Sequence, residues 1–365
     1  MKKALTGAAA IGVLASGAMA GGVERTTQSA SILFEQGDLV ELSVGVVDPS
    51  VSGTGVAVTT GVASGDMSER YFQTGLAYKQ DLGTGLSAAL IFDQPFGADV
   101  AYPSGTGYFA AGSTATLNSK ALTGLIKYTT DSNVSVFGGL RYQTLEAAAS
   151  LPFVAGYTAS SDNDGSFGYV AGVAYERPDI ALRVALTYNS AIQHDWTIVE
   201  TGPVPGTNSL STETPQSLNL EFQTGIAKDT LLFGSARWVD WSEFDISPPG
   251  YVAATTVPLV SYSSDTITYT LGVGRRFNEN WSGAISVMHE PRVSGFSSNL
   301  KPTNGKSGVT IGATYKQGNM EITGGVSHVW LGDADTTLAS ISPATAASFS
   351  DNSAWGAGLK VRFRF

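Results

Sequence analysis

The last twelve residues, Ala354-Trp355-Gly356-Ala357-Gly358-Leu359-Lys360-Val361-Arg362-Phe363-Arg364-Phe365, constrain the fold more than any other stretch. At period two, one face reads Trp355, Ala357, Leu359, Val361, Phe363 and Phe365; the other reads Gly356, Gly358, Lys360, Arg362 and Arg364. Successive side chains point to opposite sides only in extended chain. An apolar face with aromatics at both ends, opposite a cationic one, fits a strand between lipid and a wet lumen. The competing reading of this segment alone is an edge strand of a soluble sandwich.

A chain that stops on Phe365 resembles bacterial outer-membrane barrels, whose last residue serves as an assembly signal. The N-terminus agrees: Lys2 and Lys3 precede a small, apolar run, and Ala18-Met19-Ala20 is a small-x-small cleavage site. Residues 1–20 are thus expected to be a signal peptide, and its removal takes the formal charge from -10 to -12. No later segment reaches ~20 consecutive apolar residues, which excludes a helical membrane protein. Cysteine is absent, so disulfides, thiolate metal sites and a lipidated cysteine are excluded. Only 14% of residues are charged and 43 are Gly, a composition that fits one large barrel in which half of every strand touches lipid.

The expected fold is an all-β, antiparallel transmembrane barrel of roughly fourteen strands, over 39–365. Alternation marks strands at 39–47, 70–78, 86–92, 117–128, 134–144, 167–175 and 180–190. It continues at 217–227, 231–239, 266–276, 281–290, 308–315, 320–330 and 354–365. Connections after even-numbered strands are tight (79–85, 129–133, 176–179, 228–230, 277–280, 316–319). Those after odd-numbered strands run long (93–116, 191–216, 240–265, 331–353). With an even strand count, this rhythm places both termini in the periplasm and the long loops outside.

Specific residues then become familiar: the leader Gly21-Gly22-Val23-Glu24-Arg25-Thr26-Thr27-Gln28-Ser29-Ala30-Ser31-Ile32-Leu33-Phe34, Val47-Asp48-Pro49-Ser50, Phe92-Asp93-Gln94-Pro95-Phe96-Gly97, Thr214-Pro215-Gln216-Ser217, Trp238-Val239-Asp240-Trp241 and Asn280-Trp281-Ser282. In this order they resemble the outer-membrane transporters of long-chain fatty acids and other hydrophobic compounds, the FadL/TodX type. The resemblance implies a fourteen-stranded barrel plugged by its own N-terminal segment, here 21–38. It also implies uptake of a hydrophobic small molecule, held in the lumen and released through a lateral gap in the wall. In that family the gap forms at the third strand, which makes Pro95 and Phe96 its candidates. This chain departs from the pattern: its plug is short and carries no Asn-Pro-Ala before the first strand. A short plug leaves two alternatives, a leakier lumen or occlusion by inward-folding loops.

A fatty-acid site needs an apolar slot beside a cation. Phe137 and Arg141 share the lumenal face of one strand, Leu231, Phe233 and Arg237 that of another, and Arg183 is a further lumenal cation. Each is a candidate ligand-binding residue, against the alternative that lumenal Arg residues only pair with Glu221 or Glu290. Trp238 and Trp241, with Tyr251 and Tyr262, are expected in the outer aromatic belt. His194 falls in an expected loop and His328 on a lipid-facing pattern; no nucleophile signature lies near either, or near His289, which argues against an enzyme. No catalytic residue, metal site or cofactor is expected, and the negative charge argues against nucleic acid. The expected partners are the hydrophobic ligand, outer-membrane lipid and lipopolysaccharide, and the barrel-assembly machinery. The alternatives are a general aqueous porin and a structural or adhesin barrel.

Overall fold

A computed structural model describes residues 22–338 and 341–365; the expected signal peptide lies outside the described residues. Fourteen antiparallel strands close into a barrel. In chain order they are β1 (Leu39–Ser50), β2 (Tyr71–Gly83), β3 (Leu86–Asp93), β4 (Thr114–Thr129), β5 (Val134–Leu151), β6 (Asp164–Arg177) and β7 (Leu182–Asn189). The second half comprises β8 (Ser217–Ala227), β9 (Thr230–Val239), β10 (Thr266–Arg276), β11 (Trp281–Glu290), β12 (Lys306–Gln317), β13 (Met320–Leu331) and β14 (Asn352–Arg364). Closure comes from β1, which pairs with β2 on one side and β14 on the other, from Leu39↔Arg364 to Ser50↔Ser353. Closure pairs the strands around the ring, save for Tyr71–Gly75 of β2 on its β3 side.

Period-two alternation decides which way each side chain points. On β5, Val136 and Leu140 are 54% and 64% exposed, whereas Phe137 and Arg141 are 6% and 4%. An outer wall that apolar is a membrane surface; a charge on it near the midplane would cost roughly 2–4 kcal/mol. Two aromatic girdles bound it. Phe72, Phe167, Trp330 and Trp355 ring the long-loop end, and Tyr128, Trp281 and Phe365 the short-turn end. Phe365 stacks on Tyr78 with ring centroids 6.2 Å apart.

The long connections are folded structures, not open loops. The region expected as a loop at 191–216 is a β-hairpin, Ile192–Thr201 against Gly206–Thr214, so His194 sits on a strand. The hairpin also pairs with Tyr157–Ser161, which returns along the top of β5. A short helix, α1 (Pro249–Thr255), follows β9. The carboxylate of Glu200 gathers these pieces. It accepts hydrogen bonds from Tyr157 Oη (2.8 Å), Asn208 Nδ2 (2.9 Å) and the backbone N–H groups of Gly250 (2.9 Å) and Tyr251 (3.0 Å). Trp196 Nε1 donates to Leu145 O at 2.9 Å. Trp196, Trp241, Phe244 and Tyr251 form one buried cluster over the lumen. The expectation of Trp241, Tyr251 and Tyr262 in the outer belt is therefore corrected. They lie beyond the last outward-facing position of β9 and turn inward to build a roof; Trp238 alone stays on the wall, its Nε1 donating to Asp265.

Candidate functional site

The leader runs down the inside of the barrel, and nearly every polar group in it is met. Glu24 forms an ion pair with Arg237, whose Nε lies 2.9 Å from Glu24 Oε1 and whose Nη1 donates to Ser217 Oγ at 3.0 Å and to Asn219. Arg25 pairs with Asp99 and lies 4.3 Å over the Tyr71 ring. Thr26 Oγ1 donates to Asp93 (2.7 Å), Asn219 Nδ2 to Thr27 O (3.0 Å) and Ser29 Oγ to Glu221 (3.1 Å). Below, the single 3-10 turn Ser31–Phe34 buries Ile32, Leu33 and Phe34. Phe34 meets Phe137 edge-on at 5.6 Å, with Lys127 Nζ and the Arg183 guanidinium 4.7 and 4.9 Å from its ring centre. Glu35 forms ion pairs with Arg362 (3.2 Å) and Arg364 (2.8 Å); Arg362 also pairs with Glu41 (2.6 Å) and Glu321 (3.4 Å).

The six candidate ligand residues are thus dispersed rather than assembled. Arg237 holds the upper plug; Phe137 and Arg183 hold the lower plug through Phe34. Arg141 donates to Thr123 Oγ1 at 2.9 Å and feels the charge of Asp93. Leu231 and Phe233 are buried on the wall, where the Phe233 ring fills the space above Gly272: a Cβ there would sit 2.4 Å from its Cζ. Sequence spacing finds which side chains face the lumen, but not which lumenal groups the plug has already taken.

An apolar chamber lies under the roof instead, about 60 Å³ in volume, lined by Val23, Leu117, Trp196, Ile198, Phe244, Leu259, Tyr262 and Lys301 among others. A second cavity of about 50 Å³ adjoins it around Gly22, Trp241, Tyr262, Glu290 and Lys301. A third, about 60 Å³, descends along Val23, Glu24, Arg25, Tyr71 and Gly97 and again touches Lys301. Lys301 therefore stands where the three meet. Its ammonium has no ion pair among the described residues; it lies 5.7 Å over Tyr262. Burial among apolar side chains pushes its pKa down to about 8, against the pull of the Glu290 charge. Two more donors are buried there without partners, Trp241 Nε1 and Tyr262 Oη. Buried donors left open call for an acceptor. The only sequence trace of this site is that Lys301 and Arg292 are the sole charges in the connection from Pro291 to Gly305.

The third strand supplies the other feature. The β2–β3 ladder stops at Leu76↔Phe92, leaving Tyr71–Gly75 without a β3 partner. β3 itself is interrupted at Gln94–Phe96 and resumes as Gly97–Ala101, paired to β4 on one side and bridged on the other to the segment before β2 (Ala101 N to Met67 O at 2.9 Å, Glu69 N to Asp99 O at 3.3 Å); Asp93↔Ala121 and Gly97↔Asn118 make the interruption a one-residue bulge. Pro95 cannot donate to a ladder, which favours such a break. Ser119 Oγ bridges the β4 side, accepting from Phe96 N and donating to Phe96 O, each at 2.7 Å. On the β2 side a cavity of about 150 Å³ touches lumenal groups (Ser29, Glu41, Asp93, Lys360) and outward-facing Val44 and Leu76 alike. Its lining therefore includes residues from both faces of the wall. Phe96 itself points inward, edge-on to Trp241 at 6.0 Å.

No protein-family model matches the chain, and no curated protein does. Solved structures do. The chain is similar to a Pseudomonas aeruginosa FadL homologue at 14% identity, with a TM-score of 0.76 over 92% of each chain. It is similar to the P. putida toluene transporter TodX at 14% identity, with a TM-score of 0.64 over 92% of each chain. The Ralstonia pickettii toluene transporter TbuX aligns at 13% identity and a TM-score of 0.60, over 91% of this chain and 90% of that one. At such identity the likeness is one of fold: a fourteen-stranded barrel of the same build.

Proposed function

We propose that this chain is a bacterial outer-membrane channel for passive uptake of a hydrophobic compound, a long-chain fatty acid or a similar amphipathic molecule. In this reading both termini are periplasmic, the roofed end faces outward, residues 21–38 are the plug, and Phe365 is the assembly signal. The observation that carries the proposal is a chain of cavities. The chamber shares Val23, Ala98, Val100, Leu300 and Lys301 with the descending cavity, and that cavity shares Arg25 with the one at the wall beside the β2–β3 break. Apolar walls hold the tail, while Lys301, Trp241 and Tyr262 offer donors to a carboxylate. The exit at Pro95 and Phe96 delivers the molecule to lipid, where its tail is soluble, rather than to water. Inward-folded loops and a plug pinned on all sides argue against a general aqueous porin, which needs an open lumen.

Native mass spectrometry of the purified barrel tests the reading directly: a co-purified or added long-chain carboxylate should remain bound, and Lys301→Ala should weaken it. Liposomes carrying the barrel should not swell in small sugars. Free swelling without binding of any fatty acid or hydrocarbon would replace the proposal with a porin. On intact cells, protease should cut within 93–116 or 240–265 and spare 176–179; the reverse pattern inverts the topology. Deleting Phe365 should lower the yield of heat-modifiable, inserted protein, and wild-type yield would remove its assembly role.

A further inference from the structure

We propose that the side chain of Gln94 is the latch of the wall gap, a single carboxamide standing where a backbone ladder would otherwise seal β2 to β3. This rests on the lateral-exit reading above and adds the residue that governs it. The backbone groups of Pro95, Phe96 and Gly97 that have hydrogen-bond partners turn away from β2. The Pro95 carbonyl is turned inward and accepts from Arg25 N (2.7 Å) and Thr26 N (3.3 Å), while Gly97 N donates to Val23 O (2.8 Å). Phe96 gives both its backbone groups to Ser119 Oγ. What meets the free edge of β2 is the Gln94 side chain, whose Oε1 accepts from Thr74 N at 3.0 Å. Below it, Gly75 keeps the passage clear; a Cβ there would sit 2.6 Å from Ser43 Oγ.

The distinction is mechanical. Backbone ladder bonds open together, because each is held by its neighbours in the strand. A side-chain bond opens by one rotamer change and closes again without disturbing the barrel. The same interruption, Gln94–Phe96, also touches the chamber. Phe96 packs on Trp241, Trp241 lies against Gly22, and Val23 lines the chamber and is hydrogen-bonded to Gly97. A molecule filling the chamber thus presses on the residues that carry the latch.

The test uses the full-length protein in liposomes, loaded with a fluorescent long-chain carboxylate or a neutral aromatic hydrocarbon. Exit into the bilayer is followed separately from exit into water. Gln94→Ala should release both probes into the bilayer about threefold to tenfold faster, the worth of one hydrogen bond, with chamber affinity unchanged. Gln94→Asn, too short to reach Thr74, should behave the same and guards against a folding defect of the Ala variant. Gln94→Glu keeps the acceptor, so the hydrocarbon should leave at the wild-type rate while the carboxylate, repelled by the new charge, leaves more slowly. Wild-type bilayer release from both shortened variants would overturn the latch and leave lateral exit standing. Release of every form, wild type included, into water alone would overturn lateral exit and the latch with it.

Discussion

The two ends of the plug are held by different means. The lower end, Ser31 to Asp38, is fixed by charge and shape. Glu35 lies among Arg362 and Arg364, Lys79 Nζ donates to Gly37 O at 3.1 Å, Phe365 N donates to Asp38 O at 3.1 Å, and Phe34 sits between two cations and an aromatic edge. None of these groups borders the chamber. The upper end, Gly22 to Ser29, is held by the Glu24–Arg237 and Arg25–Asp99 ion pairs, by side-chain hydrogen bonds at Thr26, Thr27 and Ser29 and by backbone bonds to the bulge, and it borders the chamber from below. In the proposed reading, one end is an anchor and the other is the surface that a ligand would touch. Function needs both: a plug that stays in the barrel, and a tip that can shift without leaving it.

Breaking the anchor should cost the most. Arg362→Ala leaves Glu35, Glu41 and Glu321 with their charges poorly matched in a buried site, an effect of about 3–5 kcal/mol. The temperature of the heat-modifiable mobility shift should fall clearly, with ligand affinity nearly intact. Loss of affinity without loss of heat resistance would reverse the assignment of anchor and ligand surface. Next comes the tip. Glu24→Ala removes the carboxylate that Arg237 Nε meets at 2.9 Å, yet Ser217 and Asn219 remain as partners, so the loss should be smaller, about 1.5–3 kcal/mol. Its signature is different: ion conductance in planar bilayers should rise and chamber affinity should fall together. A variant that only lowers heat resistance would make Glu24 a second anchor.

The roof tests whether the chamber depends on what covers it. Burial raises the Glu200 carboxyl, but hydrogen bonds from Gly250 N, Tyr157, Asn208 and Tyr251 N outweigh that and hold its pKa below the usual carboxylate value. A depressed carboxylate stabilises above its unfolded pKa, about 4.3, and the contribution is lost as pH falls through the folded value. Limited proteolysis of the 192–214 hairpin should therefore begin below that range, with the barrel still intact, and earlier in Glu200→Gln. Simultaneous loss of hairpin and barrel would show that the roof is not a separate unit.

The wall was legible because lipid enforces it. Each outward residue of β10 (Ile267, Tyr269, Leu271, Val273) must be apolar and each lumenal one need not be, so period two survives the whole crossing. The signal fades where the strands leave the membrane. β5 continues to Leu151, well beyond 144, through Ala147-Ala148-Ala149-Ser150, in which neither face is marked. The site was less legible, because its contacts join distant residues. Pro95 and Phe96 announced an interruption, but the partner of Gln94 lies twenty positions away. Arg237 looks the same in sequence whether a ligand or Glu24 meets it. Trp241 reads as a belt residue until the turn after Val239 carries it inward. Lys301 lies in a connection with no period at all.

Lys301 also gives the smallest and most specific way to separate tip from anchor. With a pKa near 8, its ammonium is charged at pH 7 and mostly neutral at pH 9.5. A carboxylate ligand stays ionised throughout that interval, so only the protein's end of the contact titrates. Because the ligand favours the charged form, it raises the pKa of Lys301 on binding, and affinity falls as pH rises through and beyond 8. The expected loss is about tenfold between pH 7 and pH 9.5, by fluorescence displacement or calorimetry. A neutral hydrocarbon should show a flat profile, and Lys301→Met should flatten the profile for the acid. None of the anchor's contacts involves Lys301, so heat resistance should stay constant while affinity falls. A carboxylate affinity that does not change across pH 8 would remove Lys301 as the head-group contact and leave the chamber a site for uncharged molecules.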